Sequence, residues 1–328
     1  MKVLVTGASG MLGAAVARTL AARGDDVTVM QRRPAGLGLR EVLGDVADAD
    51  VVRRAVAGHD AVVHLAAKVN VTGAWAEFER ANITGTGSVV AACLAEDVSR
   101  LVHVSTPSVA HLGSSLVGVS AGPADAAHAR GNYARSKAIA EQVALAAAGD
   151  LAVVAIRPHL VWGPGDTQLV GRLVQRAKAG RLPIIGSGAP LVDTTYVSNA
   201  ADALVAALDR CPEVSGQALV VSNGEPRPVA ELLADICTAA GVAPPSRRIS
   251  PKLASAVGAM AEAIWSGRLL GSRSARVSED APITRFVAEQ LSTAHWFDQR
   301  QTRSALQWTP RLTLDEGLAE LARWYADH

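Results

Sequence analysis

The feature that most constrains this chain is an apolar strand followed by three glycines spaced three residues apart. Residues 3–5 (VLV) predict a buried parallel strand, Gly7, Gly10 and Gly13 follow it, and residues 14–20 continue with helical periodicity. In such a strand–turn–helix unit the first glycine permits the tight turn, the second lets backbone approach a pyrophosphate, and the third packs helix against strand. The helix N-terminus adds unpaired N–H groups and partial positive charge. The start of the chain therefore predicts a dinucleotide site.

Strands and helices alternate after this unit. Helical patterns separate further predicted strands at residues 26–30, 42–46, 61–65, 101–104 and 151–156. This alternation predicts an α/β fold with a doubly wound, parallel Rossmann sheet. The segment 107–131 is predicted to be a long loop, and long loops in compact domains tend to be functional.

The pattern loosens beyond residue 162, where we predict a smaller, interleaved C-terminal substrate lobe. The predicted cofactor domain is 1–162, with later contributions from about 192–222, and the predicted substrate lobe is 163–191 and 223–328. Within that lobe, residues 252–270 form an amphipathic helical pattern that is expected to be buried, with an apolar mouth or contact with a membrane surface as the alternatives.

Composition excludes several classes of function. The net charge of +1 gives no electrostatic reason to expect nucleic acid. The three cysteines are far apart and indicate neither a disulfide framework nor a metal cluster, so no metal is predicted. Neither a signal peptide nor an apolar run of roughly 18 residues is visible, and a cytoplasmic protein without a transmembrane segment is expected.

Tyr133 and Lys137 lie four residues apart, on one face of a predicted helix. Thr106 follows the predicted strand 101–104, at the sheet edge where ligands of open α/β sheets bind. A tyrosine is a poor base near its reference pKa, and a neighbouring cation is expected to lower the pKa of Tyr133. This pattern also arises by chance in exposed helices, but the glycine turn favours an acid–base site.

These residues belong to a series of motifs that resembles the extended short-chain dehydrogenase/reductase superfamily along essentially the whole chain. The matching segments are 6–13 (TGASGMLG), 45–46 (DV), 64–67 (HLAA), 82–86 (NITGT), 104–106 (VST) with Tyr133 and Lys137, and 157–158 (RP). The resemblance implies that Thr106, Tyr133 and Lys137 are catalytic. It also implies a homodimer formed through the helices predicted at 78–95 and 133–148.

The resemblance and the glycine turn together give a set of expected cofactor contacts. These are Gly7, Ser9, Gly10, Met11, Leu12, Gly13, Gln31, Arg32, Arg33, Asp45, Val46, Leu65, Ala66, Ala67, Lys68, Tyr133, Lys137, Pro158 and Val161. NAD-preferring relatives carry an acidic residue after the second strand, which binds the ribose 2′-hydroxyl. This chain has Gln31, Arg32 and Arg33 there, and a guanidinium suits a phosphate. NADP(H) is therefore favoured, and NAD(H) stays possible.

Departures from the superfamily's motifs bear on the substrate. Epimerases usually have VYG where residues 109–111 read VAH, and sugar dehydratases have an Asp-Glu pair where 107–108 read PS. Other segments resemble the 3β-hydroxysteroid dehydrogenase branch and, within it, bacterial 2-alkyl-3-oxoalkanoate reductases. They are 182–186 (LPIIG), 193–197 (DTTYV), 282–286 (PITRF) and 295–298 (HWFD).

The expected function is NADP(H)-dependent reduction of a ketone, or oxidation of a secondary alcohol, on a large apolar molecule. Its substrate is either a β-keto acid with alkyl chains or a steroid-like ring, and Lys68 and His159 flank the expected nicotinamide pocket. A nucleotide-sugar epimerase or dehydratase, a steroid isomerase and a non-catalytic dinucleotide sensor are the alternatives.

Overall fold

A seven-stranded parallel sheet forms the centre of the protein in the computed structural model, which describes residues 1–69, 73–111, 113–254, 256–258 and 292–328. In chain order the described strands are β1 (Lys2–Thr6), β2 (Asp26–Gln31), β3 (Arg40–Leu43), β4 (Ala61–His64), β5 (Arg100–Val104), β6 (Leu116–Val119), β7 (Ala152–Pro158), β8 (Val161–Trp162), β9 (Ile184–Ile185), β10 (Leu191–Val192), β11 (Thr195–Tyr196), β12 (Ala218–Val221), β13 (Arg227–Pro228), β14 (Arg248–Ile249) and β15 (His295–Phe297).

Helices cover both faces of this sheet. They are α1 (Met11–Ala22), α2 (Ala49–Val56), α3 (Trp75–Phe78), α4 (Gly85–Ala95), α5 (Gly131–Leu145), α6 (Val170–Lys178), α7 (Val197–Asp209), α8 (Val229–Ala239), α9 (Arg300–Leu306) and α10 (Leu314–Asp327). The apolar cluster on one face includes Val16 of α1 and Leu204 of α7, and the cluster on the other includes Val52 of α2 and Val89 of α4. The predicted doubly wound α/β fold is confirmed.

The order of the central sheet is β12-β7-β5-β4-β1-β2-β3. The chain runs outward in one direction from β1 to β3 and in the other from β4 to β12. The reversal between β1 and β4 leaves a crevice at the carboxyl ends of these strands, where ligands of open α/β sheets bind. The glycine turn follows β1, so the fold brings it to this crevice.

The predicted helix 78–95 is not a uniform α-helix. A π-helix (Glu79–Thr84) separates α3 from α4, and its Asn82 is buried at 1% exposure. A π-helix holds an extra residue per turn and occurs frequently at functional sites. Hydrophobic periodicity predicts that this segment is helical, but it does not reveal that one turn contains an extra residue.

The segment 107–131, predicted as a loop, contains a 3₁₀ turn (Pro107–Ala110) and strand β6. β6 belongs to a second sheet with the order β13-β10-β15-β6, in which Leu116 pairs with His295. The prediction of an unbroken loop is wrong, because a strand of four residues is defined here by a partner far away in the chain. The predicted helix 252–270 lies largely outside the described residues, and the motif 282–286 lies wholly outside them. None of the described helices is long and apolar enough to cross a membrane.

Candidate active site

The three positions of the first turn need glycine for different reasons. Gly7 has φ +80°, and a Cβ there would lie 2.7 Å from the backbone nitrogen of Ala66. A Cβ on Gly13 would lie 2.3 Å from the carbonyl oxygen of Gly7, so turn and helix pack only with glycine at both positions. Gly10 is extended (φ −87°), and a Cβ there would meet only the Gly7 carbonyl oxygen, at 3.5 Å. Neither backbone conformation nor protein packing requires Gly10, which leaves close approach of a ligand as its reason.

The N-terminus of α1 is suited to an anion. Gly10 is its N-cap, no side chain caps the helix, and its first turn carries no acidic residue. The first N–H groups of a helix lack partners within the helix, and the helix dipole favours negative charge there. The turn and the helix end therefore fit the diphosphate of a dinucleotide.

A continuous cavity of about 1740 Å³ extends from the glycine turn into the C-terminal part of the chain. All residues predicted to contact a cofactor line it except Lys137, and Thr106 lines it as well. The fold thus brings together residues from the ends of β1, β2, β4, β5 and β7 and from the first turn of α5. Lys137 lies behind this wall, where its Nζ donates to the carbonyl oxygen of Val104 at 2.6 Å.

Tyr133 lies on α5 next to Thr106, at the end of β5. Burial raises the pKa of Tyr133 to about 12, although the Thr106 side chain acts in the opposite direction. Burial lowers the pKa of Lys137 to about 8, against the charge of Glu141. The prediction of a lowered Tyr133 pKa is therefore wrong, because burial of the phenol raises its pKa by more than the Thr106 hydrogen bond lowers it. At neutral pH the phenol is protonated, which suits a proton donor.

Asn82 of the π-helix was absent from the predicted site residues, although it opens the 82–86 motif. Its Oδ1 accepts from the Lys68 backbone N–H at 2.7 Å, and its Nδ2 donates to Ser136 Oγ at 2.9 Å and to the Lys68 carbonyl at 3.1 Å. The side chain thus clamps the segment that follows β4 against α5. Lys68 and the Tyr133 helix are held in register by one amide.

Two arginines line the part of the cavity that lies at the end of β2. Arg32 and Arg33 are exposed, line the cavity, and form no ion pair with any described residue. The side chain of Gln31 is turned away, with its Nε2 donating to the Glu41 carboxylate, which also accepts from the Ala35 N–H at 2.7 Å. The Glu41 carboxylate is thus engaged by the loop itself, and the charge of Arg32 acts on Asp45 without forming an ion pair.

Asp45 lines the same part of the cavity as Arg32 and Arg33. Its carboxylate pairs with Arg80 at 3.1 Å and accepts from the Ala47 N–H at 3.0 Å. Burial acts to raise the pKa of Asp45, but the Ala47 hydrogen bond and Arg80 outweigh it, and the pKa is lowered. The residue is therefore ionised at neutral pH and available as an acceptor.

The cavity continues into an apolar arm between the sheet and the C-terminal elements. The side chains that line the arm are Leu173, Leu182, Val192, Leu232, Ile236 and Phe297. They come from α6, α8, β10, β15 and the turn before β9. Such a wall suits the alkyl or ring carbons of an apolar substrate.

Two buried histidines lie under the site, on β4 and β5. His64 bonds Thr6 Oγ1 at 2.8 Å and Thr86 Oγ1 at 3.1 Å, whereas neither ring nitrogen of His103 has a partner among the described residues. Burial, with a smaller effect of Lys137, lowers the pKa of His64 to about 3 and that of His103 well below its usual value. Both rings are neutral at pH 7.

We expect these histidines to make the fold sensitive to acid. Because each pKa is lower in the folded protein, the unfolded chain takes up protons first, and stability falls as pH drops below about 6.5, by about 1.4 kcal/mol per pH unit for each ring. His103→Leu removes one ring and two unpaired buried nitrogens. Urea unfolding at pH 7, 6, 5 and 4 should show a variant at least as stable at pH 7 and less acid-sensitive. Parallel curves for the two proteins would contradict this.

Comparison with known proteins agrees with this geometry. The model of the 3-beta hydroxysteroid dehydrogenase/isomerase family matches residues 4–252. The chain is 42% identical to the 2-alkyl-3-oxoalkanoate reductase of Stenotrophomonas maltophilia, over 98% of each chain. It is 38% identical to the 2-alkyl-3-oxoalkanoate reductase of Shewanella oneidensis, over 97% of this chain and 84% of that one.

Among solved structures, MoeE5 in complex with UDP-glucuronic acid and NAD has a TM-score of 0.73 and 28% identity, over 100% of this chain and 99% of that one. The family and the named relatives are oxidoreductases that act on keto or hydroxyl groups. This chain is such an enzyme, and it belongs to the 3-beta hydroxysteroid dehydrogenase/isomerase family of extended short-chain dehydrogenases/reductases.

Proposed function

We propose that the protein is an NADP(H)-dependent ketoreductase that reduces the 3-keto group of a long-chain 2-alkyl-3-oxoalkanoate. The observation that carries this proposal is the position of Tyr133, a protonated phenol between a dinucleotide-shaped cleft and an apolar arm of one cavity. The two reductases most similar in the comparison carry the name of this substrate class.

In this mechanism the chain's residues bind the ketone and move one proton. When bound, the nicotinamide cofactor supplies the hydride that the carbonyl carbon accepts. Thr106 orients the carbonyl oxygen, and Tyr133 donates the proton that this oxygen takes up. Lys137, held by the Val104 carbonyl, stabilises the phenolate that remains until the proton is replaced from solvent. With a raised pKa Tyr133 is present at neutral pH as the phenol, the form that ketone reduction uses, whereas alcohol oxidation uses the phenolate.

The proposal is tested by following NADPH consumption with three classes of substrate: 2-alkyl-3-oxoalkanoates, 3-ketosteroids and nucleotide sugars. We expect turnover with the oxoalkanoates, increasing with alkyl length as the apolar arm is filled. Turnover of a nucleotide sugar without net NADPH consumption would instead establish an epimerase. Turnover restricted to 3-ketosteroids would show that the substrate is a steroid and not an oxoalkanoate.

Preference for NADPH is proposed to come from Arg32 and Arg33. A charge-assisted hydrogen bond contributes about 1.5–3 kcal/mol. Replacing both arginines with alanine should therefore weaken the binding of NADPH by about tenfold or more and leave the binding of NADH nearly unchanged. Titration of both reduced cofactors by fluorescence measures this. The matched control is alanine at Arg53 and Arg54, an adjacent exposed pair on α2 outside the cavity, which removes the same charge. Equal weakening of both cofactors, or a wild type that prefers NADH, would refute the assignment.

We further propose a two-fold dimer through α4 and α5. These helices pack side by side, and Leu94 at the end of α4 is 41% exposed. Light scattering at micromolar concentration should give twice the chain mass of 33.9 kDa. Leu94→Glu should shift the protein towards the monomer, and a monomeric wild type would rule this assembly out.

The division of the chain into two functional parts is a proposal as well. We assign cofactor binding to residues 1–162 and about 192–222, and substrate binding to 163–191 and 223–328. Support comes from the cavity, since its dinucleotide-shaped end is lined largely from the first range and its apolar arm largely from the second. A location in the cytoplasm remains an expectation from sequence.

A further inference from the structure

A buried histidine–aspartate pair lies beside the proposed catalytic residues. His159 Nδ1 lies 2.6 Å from Asp193 Oδ1, and Asp193 is 0% exposed. The other carboxylate oxygen accepts from Ser222 Oγ at 2.7 Å and from the Phe297 backbone N–H at 2.9 Å. The carboxylate is surrounded by three hydrogen-bond partners, and it fixes His159 Nδ1 as the donor nitrogen of the ring.

The second nitrogen of this ring is directed to the cavity. His159 lines the cavity, and its Nε2 makes no hydrogen bond within the described ranges. The ring of Phe297 meets the imidazole edge-on at 5.0 Å between centroids and restricts its rotation. The imidazole is therefore anchored on one side and open to a ligand on the other.

The strand register places this ring close to the reacting ketone. Val104 pairs with Ile156, and the Ser105 N–H donates to the Ile156 carbonyl at 2.6 Å, so Thr106 lies beside Pro158, and His159 comes next. Adjacent strands are about 4.8 Å apart. In a β-keto acid the ketone carbon and the carboxylate carbon are separated by a single carbon. A group next to Thr106 can thus reach the carboxylate while Thr106 holds the ketone oxygen.

Other cations in the cavity are less suited to this task. Lys68 pairs with Glu77 at 3.1 Å and Arg80 pairs with Asp45, while Arg32 and Arg33 lie at the far end of the cleft. The two remaining arginines of the lining belong to helices and not to the strand ends, Arg18 to α1 and Arg176 to α6. An imidazolium between two carboxylates has an acceptor for each of its N–H groups. His159 is the residue with an unbonded ring nitrogen that the register places next to Thr106.

We propose that His159, positioned by Asp193, binds the carboxylate of the substrate and makes the enzyme selective for β-keto acids over neutral ketones. This inference rests on the proposed ketoreductase function and adds its specificity determinant. It also gives a role to residues 295–298, since the Phe297 N–H and ring hold the pair in place.

The test compares a 2-alkyl-3-oxoalkanoate with its methyl ester, which keeps the ketone and the chains but loses the charge. We expect wild-type kcat/KM to be at least tenfold higher for the acid. His159→Gln should lower this ratio tenfold or more, mainly through KM of the acid. The control His128→Gln changes an exposed histidine that pairs with Asp125 at 2.8 Å outside the cavity, and it should keep the wild-type ratio.

The wild-type ratio is informative even where a variant does not fold. Equal kcat/KM for acid and ester would overturn the carboxylate assignment while leaving the ketoreductase function intact. Loss of the ratio in Lys68→Gln but not in His159→Gln would assign the carboxylate to Lys68 and overturn it too. Reduction of neither compound would refute the proposed function, and the inference with it.

Discussion

Tyr133→Phe should reduce turnover by about 100-fold or more while NADPH still binds. The substitution keeps the ring that packs beside Thr106 and removes only the hydroxyl that donates the proton. General acid catalysis by a positioned side chain typically contributes 10²–10⁴-fold to the rate. Steady-state kinetics should show the loss in kcat and in kcat/KM together, because the lost interaction belongs to the transition state.

The chain offers a matched control for this substitution. Tyr196 is a buried tyrosine whose hydroxyl bonds the Glu320 carboxylate, and it does not line the cavity. Tyr196→Phe makes the same chemical change away from the site and should retain turnover within a few-fold. Near-normal turnover in Tyr133→Phe, or equal losses in both variants, would exclude Tyr133 as the proton donor.

The largest effect on stability is expected at Arg157. This residue, part of the 157–158 (RP) motif, directs its side chain into the protein, where it pairs with Glu141 of α5 at 1% exposure for both. Its Nε lies 2.8 Å from the carboxylate, and its Nη1 donates to the Gly122 carbonyl at 2.7 Å. Loss of one partner leaves an uncompensated buried charge, which costs about 3–5 kcal/mol. Arg157→Met should lower the free energy of unfolding in urea by that amount.

A double variant separates charge from packing. Arg157→Met with Glu141→Leu removes both charges of this pair, so it should be more stable than Arg157→Met alone. Arg300→Met provides the control, since the Arg300–Asp298 pair is exposed, with 91% of the Arg300 side chain accessible, and should leave the free energy of unfolding nearly unchanged. Additive losses in the double variant would mean that the two side chains act independently.

Local pattern was enough to predict the cofactor half of the fold. The strand, the glycine turn and the helix are formed by consecutive residues. The α/β alternation that follows can likewise be recognised from short stretches of sequence. Apart from Tyr133 and Lys137 on α5, the predicted set of cavity residues depended on motifs that follow the carboxyl end of a strand, such as 64–67 and 104–106. Parallel strands bring their carboxyl ends to one edge of the sheet. The order of the motifs along the chain therefore also predicts which residues lie close together in the fold.

What sequence did not predict depends on contacts between distant residues. β6 pairs with β15 across about 180 residues, and Asp193 reaches His159 from another strand. The pKa of Tyr133 was predicted in the wrong direction because Lys137 is visible in the sequence, whereas burial of the phenol is a property of the folded protein. Long-range packing determined each of these outcomes.

The π-helix between α3 and α4 acts as a one-residue insertion in an otherwise regular helical segment from Trp75 to Ala95. Deleting one residue within Glu79–Thr84 would restore regular α-helical bonding. The same deletion would rotate one half of the segment by about 100° relative to the other. Asn82 would then no longer face both Lys68 and Ser136. The shorter chain would have the more regular helix and the less well-ordered site, so backbone regularity and catalytic competence are opposed at this position.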